Sequence, residues 1–147
     1  MNNPTDRMFA LLKQRAMDAA QHSYSPYSRF PVGAAVSGAD ERVYSGCNVE
    51  NASFGLTQCA ERSALAAAIA GGVRPGTTLH TLLIYTAGQA AQPPCGACRQ
   101  VMRELMAADS LVISCCDSAD VRYWRPDEYL PDPFMPQALQ LAGEEST

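Results

Sequence analysis

Lysine is almost absent from this chain: Lys13 is the only one, and with arginine the basic residues total 11 against 15 acidic ones. The net charge of -4 leaves no basic surface of the kind that polynucleotide binding draws on. Nucleic acid is therefore not expected as a partner, and a small-molecule substrate is the better default. Long apolar runs are missing as well. No window approaches the roughly 20 apolar residues of a membrane span. The first 21 residues carry Asp6, Arg7, Lys13, Arg15 and Asp18, which is not the pattern of a secretory leader. The chain is thus expected in the cytoplasm, with no membrane partner. Histidine is scarce, and His22 and His80 read as ordinary surface and strand residues rather than metal ligands.

What is present suits one compact unit. Apolar residues make up 47% and charged residues 18% of 147, enough for a real core in a single domain spanning residues 1–147. Six cysteines occur, and in a reducing compartment a C-x-x-C pair points to metal or redox chemistry rather than to a disulfide framework.

Along the chain, Thr5 or Asn3 can cap a helix whose apolar positions Phe9, Leu12, Ala16 and Ala19/Ala20 recur at helical spacing as far as Ala20. Val32–Val36 and Arg42–Cys47 read as strands joined by the turn-forming Ser37–Glu41, a hairpin. An alanine-rich helix starts at Cys59 and stops at Gly71-Gly72 through a left-handed C-terminal position. Thr78–Thr86 is a continuous β-rich run, a second helix opens at Cys95, and Leu111–Cys116 and Val121–Trp124 are further strands. The order α-β-β-α-β-α-β-β predicts an α/β fold of three layers, with helices on both faces of a mixed, roughly five-stranded sheet. Ligands in such folds bind where strands end and helices begin, and both cysteine-bearing turns fall there.

Those turns carry the chemistry. Gln58-Cys59-Ala60-Glu61-Arg62 crowds a thiol, a carboxylate and a guanidinium into one turn, although Glu and Arg are among the residues least often buried. Pro93-Pro94-Cys95-Gly96-Ala97-Cys98 puts two cysteines at another helix start. Free amides and the helix dipole stabilise thiolates at such positions, so two helix starts can converge Cys59, Cys95 and Cys98 on one zinc ion. Three protein ligands leave a fourth position for water, the mark of a catalytic site. Three thiolates on Zn²⁺ carry excess negative charge, and Arg62 is placed to donate hydrogen bonds toward them. Two other readings stay open on the residues alone. Cys95-x-x-Cys98 also fits a redox pair, and Cys47 or Cys116 would make a fourth ligand of a structural zinc site.

In combination, Cys59-Ala60-Glu61 and Pro94-Cys95-Gly96-Ala97-Cys98-Arg99-Gln100 resemble the zinc-dependent nucleoside and nucleobase deaminases. Tyr24–Ala35 and Gly46-Cys47-Asn48-Val49-Glu50-Asn51-Ala52 narrow the likeness to the small homotetrameric cytidine deaminases, from about Tyr24 to Phe134. The resemblance implies one zinc per subunit on Cys59, Cys95 and Cys98, with Glu61 as proton shuttle in hydrolytic deamination of cytidine and 2'-deoxycytidine in pyrimidine salvage. It implies that Asn48 and Glu50 bind ribose hydroxyls, that Phe30 lines the pocket and that the Ala52 backbone contacts the base. It also implies that Phe134 reaches a neighbouring subunit's site in a homotetramer, and that Asn51 and Gln100 support the site. One position departs: Phe54 stands where relatives usually carry tyrosine, so that hydroxyl's hydrogen bond is absent. The nearest alternative is a deaminase of a modified cytosine nucleoside such as blasticidin S. From another class, a non-catalytic zinc or thiol-redox protein would have no need of Glu61 beside a ligand.

Overall fold

In a computed structural model, which describes residues 4–39 and 41–139, regular structure begins at Thr5. Its hydroxyl accepts the Met8 backbone N–H at 3.3 Å, satisfying one of the free donors at the start of helix α1, Asp6–Ala20. The alternative cap Asn3 and the turn residue Asp40 lie outside the described residues.

Strands β1 (Val32–Gly38) and β2 (Val43–Cys47) form the expected antiparallel hairpin. A 3-10 turn at Phe54–Leu56 leads to helix α2, Ala60–Ala70, and then to β3, Leu79–Thr86. Helix α3 is Gly96–Leu105, followed by β4 (Leu111–Cys115), β5 (Val121–Trp124) and a short α4, Pro126–Tyr129. The sheet has five strands in the order β2-β1-β3-β4-β5. Only β3 and β4 are parallel, joined through α3. β1 runs two residues past its expected end because its pairing with β3 continues across a register shift at Ser37/Gly38. The left-handed helix stop falls on Gly72 (φ 92°) rather than on Gly71.

Alternation along the strands divides the core between the two faces of the sheet. Ala35, Leu83, Tyr85 and Ile113 meet Leu12, Ala16 and Ala20 of α1 on one face. Ala34, Val36, Leu82, Ile84 and Val112 meet Ala64, Leu65, Ala68 and Met102 of α2 and α3 on the other. The three-layer mixed fold expected from the element order is therefore the one observed. Small residues set how close the layers come. A Cβ on Gly33 would lie 1.8 Å from the Ala16 carbonyl oxygen, and one on Gly46 would lie 2.5 Å from the Ala64 nitrogen. Both contacts are to helix backbone, which cannot turn aside, so glycine is what lets α1 and α2 lie flat on the hairpin.

Candidate active site

The strand pairing gathers the site. Val32 lies opposite Thr86 and Gly33 opposite Cys47, so the start of β1 and the ends of β2 and β3 share one edge of the sheet. From that edge the chain runs into α2 and α3, both on the same face. Cys59 and Cys95 are the N-cap residues of these helices, in extended conformation with ψ of 154° and 163°. Neither side chain is spent on capping, so both sulfurs are free for other partners. Cys98 follows in the first turn of α3, fully buried.

The three thiols converge, with all sulfurs within 4.8 Å of one another. Cys59 Sγ and Cys95 Sγ are 3.9 Å apart. A tetrahedral zinc ion with bonds of about 2.3 Å sets its thiolates about 3.8 Å apart, so the spacing and the all-sulfur donor set fit that ion. Neither Cys47 nor Cys116 belongs to the cluster. All six cysteines are free thiols, and Cys116 Sγ is instead occupied by the Ser118 hydroxyl at 3.2 Å. Among the described residues the cluster has three donors and no fourth, which is what an open coordination position requires.

The electrostatics follow from who faces whom. The Cys59 thiol is lowered to about 5, first by its hydrogen bond with Cys98 and then by Arg62. The Cys98 thiol is pushed the other way, first by its neighbour Cys59 and then by burial. Arg62 Nη2 donates to the Cys59 sulfur at 3.5 Å and to the Thr57 carbonyl at 3.0 Å. Binding of a divalent metal would displace the remaining thiol protons. Glu61 is only 5% exposed. Burial raises its pKa, and the neighbouring Cys59 charge adds to the rise, so this carboxyl retains a proton more readily than an exposed glutamate.

A cavity of about 220 Å³ opens over this group, lined at its base by Cys59, Cys95 and Glu61 and around it by Phe30, Val32, Asn48, Ile84, Thr86, Gln92 and Pro93. This is below the 300–1,000 Å³ typical of drug-sized ligands and suits a single small heterocycle. A larger cavity of about 770 Å³ lies elsewhere, between the start of α1 and the far end of β1 and β3. It contains none of the thiols, so size alone does not locate the chemistry.

Of the residues expected from sequence, Phe30 and Asn48 line the small cavity with Cys59, Cys95 and Glu61, and Cys98 lies buried behind it. Glu50, Ala52 and Phe134 do not line it. Asn48 is engaged within the chain: its Oδ1 accepts from Val32 N (2.9 Å) and from the Ser23 hydroxyl, and its Nδ2 donates to the Phe30 carbonyl (2.8 Å). Glu50 accepts the Tyr27 and Ser28 backbone N–H groups at 2.9 and 3.2 Å. With the Ser28 hydroxyl as first cause, these bonds hold its carboxyl below the usual range. Both side chains therefore fasten the loop before β1 onto the segment after β2. Ala52 is exposed, and the Phe134 ring is 62% exposed with its carbonyl held by Gln100 Nε2 at 2.6 Å.

Sequence reasoning did not anticipate Val32, Ile84, Thr86, Gln92 and Pro93 as walls of the cavity. Strand residues of ordinary apolar type carry no mark of facing a site. Thr86 did offer one: a threonine closing the apolar run Leu82–Tyr85, whose buried hydroxyl has no partner among the described residues.

Comparison with known proteins agrees with this geometry. Residues 9–115 match the family model "Cytidine and deoxycytidylate deaminase zinc-binding region". The cytidine deaminase of Halalkalibacterium halodurans is 43% identical over 124 residues, covering 84% of this chain and 92% of that protein. That of Mycobacterium tuberculosis is 41% identical, covering 84% and 87%. The crystal structure of cytidine deaminase from Burkholderia pseudomallei superposes with a TM-score of 0.81 at 43% identity, covering 89% of this chain and 100% of that one. The motif, the three-thiol cluster and these likenesses meet in one conclusion: the chain belongs to the zinc-binding cytidine and deoxycytidylate deaminase family.

Proposed function

We propose that this protein hydrolyses cytidine and 2'-deoxycytidine to uridine and 2'-deoxyuridine, releasing ammonia, as a step of pyrimidine salvage. The observation that carries the reading is a buried carboxyl, Glu61, beside a three-thiol cluster at the base of a small cavity. Cys59, Cys95 and Cys98 are assigned as ligands of one zinc ion per chain. When bound, that ion supplies Lewis-acid activation of water at neutral pH.

The chain's own part is to move protons and hold the base. Overall, water replaces the amine at C4: a C–O bond forms, the C4–N bond breaks, and the nitrogen leaves as ammonia. Glu61 delivers a proton to N3 of the ring and passes another to the departing amine. A carboxyl with a raised pKa suits both transfers. Arg62 offsets thiolate charge through Cys59. Phe30 packs on the nucleoside, and Asn48 and Glu50 bind ribose hydroxyls from the segment they already organise. The Ala52 backbone contacts the base, and Phe134 completes a neighbouring subunit's site in a homotetramer. The whole chain acts as one catalytic domain in the cytoplasm.

The test is a spectrophotometric deamination panel of cytidine, 2'-deoxycytidine, cytosine and blasticidin S, run with and without a chelator. Turnover of the first two, lost on chelation, is expected. Absence of turnover by zinc-loaded protein overturns the reading, and selective turnover of blasticidin S replaces it. Glu61→Gln should keep zinc and fold while losing on the order of 10² to 10⁴ in kcat. Retained turnover in that variant removes Glu61 from the proton path.

A further inference from the structure

Loop 87–94 joins β3 to the helix start that carries Cys95, and it has no regular structure of its own. Its buried and half-buried polar groups still need partners, and pairing within a sheet or helix is not available to them. They find them on the end of β4 and on the turn that follows it. Asp117 Oδ2 accepts Gly88 N–H at 2.7 Å, and Asp117 N–H donates back to the Gly88 carbonyl at 3.0 Å. Ser118 Oγ donates to the Gln89 carbonyl at 2.8 Å. Asp120 Oδ2 accepts Ala91 N–H at 2.8 Å, and the buried Ser114 Oγ donates to the Gln92 carbonyl at 2.6 Å. Pro93 and Pro94 have no N–H to satisfy. The Pro94 carbonyl is taken by Arg99 Nε at 2.8 Å, from the helix itself. The loop is thus pinned at successive points up to the residue before Cys95.

The turn making these contacts is arranged for the purpose. Ser118 Oγ accepts Asp120 N–H at 3.0 Å, which sets the second aspartate beside the loop. Asp117 is braced from β3 by the Tyr85 hydroxyl at 2.6 Å. β3 and β4 are parallel neighbours with Tyr85 opposite Cys115, so both segments leave the sheet side by side. Gln92 and Pro93, on the pinned loop, are walls of the small cavity.

We infer that Asp120, with Ser114 and Asp117, is a positioning residue: it fixes the loop that places Cys95 and the Gln92–Pro93 wall. It belongs neither to the thiol cluster nor to the lining of the small cavity. The inference rests on the reading of Cys95 as a zinc ligand, and its readout is separate from turnover.

The experiment follows zinc loss from the loaded enzyme to a chromophoric chelator, alongside kcat and KM for cytidine. Outer contacts of metal ligands commonly govern 10- to 100-fold in affinity, and Asp120→Ala should release zinc about tenfold faster, with a raised KM. Asp120→Asn keeps a carbonyl acceptor for Ala91 N–H and should stay close to the wild type. Ser114→Ala, a smaller change, should accelerate release in the same direction. Unchanged zinc loss in Asp120→Ala and Ser114→Ala overturns the inference, even if both lower the melting temperature. An Asp120→Asn variant as leaky as Asp120→Ala also overturns it, since charge rather than the hydrogen bond would then be responsible. Zinc-loaded wild type that fails to deaminate cytidine counts against the proposed function while leaving this comparison intact.

Discussion

Arg62 shows how much one side chain decides. The Cys59 thiol is lowered, first by Cys98 and then by Arg62, whose guanidinium is a cation 3.5 Å from the sulfur and placed to offset thiolate charge. Its second bond, to the Thr57 carbonyl, fixes the direction of approach. Arg62→Ala should therefore lower zinc affinity by roughly 10-fold or more and reduce kcat/KM with it. Competition with a chromophoric chelator measures the first and initial rates the second. Unchanged zinc affinity together with an unchanged rate would dismiss the role. Cys59, Glu61 and Arg62 were legible as a group because charged residues seldom crowd the start of an apolar helix. Which sulfur Arg62 reaches, and the burial that raises the Glu61 carboxyl, were not legible, since both depend on tertiary packing.

At the scale of elements, the end of β3 is tied to the β4–β5 turn by Tyr85 and Asp117. The bond raises the Tyr85 hydroxyl to about 12 from an ordinary value of 10.0. Folding thus favours the protonated phenol. Its contribution is complete below pH 10 and is lost as pH rises through about 12. Asp117 is held below its usual value of 3.8, first by Gly88 N–H and then by Tyr85. That contribution is complete above this value and is lost as pH falls through the lowered one. Denaturant unfolding of wild type and Tyr85→Phe across this range should give a stability difference that is flat near neutrality and shrinks in alkali. A difference independent of pH up to about 12 would refute the bond. The strands were readable from apolar runs, whereas this tie was not, because it joins residues 32 positions apart through a loop with no pattern of its own.

At the scale of the molecule, the exposed apolar residues ask for an explanation. Tyr24, Phe54, Leu56 and Phe134 are 55%, 72%, 71% and 62% exposed. The Phe54 ring meets Tyr27 edge-on, centroids 5.5 Å apart. Side chains of this size left in water are what a chain with further subunits would cover. The proposed homotetramer predicts a light-scattering mass of about four times the 15.8 kDa chain. Phe134→Ala should raise KM for cytidine while leaving that mass unchanged. A fully active monomer would end the shared-site proposal.

The sequence by itself determined the layer architecture, because apolar periodicity and turn residues act locally and survive without knowledge of neighbours. It also singled out the candidate residues: Cys59, Glu61 and the Cys95-x-x-Cys98 pair, which stand at two helix starts. The tertiary structure alone decided that the three sulfurs come within 4.8 Å and that neither Cys47 nor Cys116 joins them. It decided, too, that Asn48 and Glu50 first serve their own chain, and that two aspartates beyond β4 hold the approach to Cys95. These are contacts between segments distant in sequence. They arise only when the sheet brings the start of β1 and the ends of β2, β3 and β4 to one edge, and nothing in local pattern encodes that.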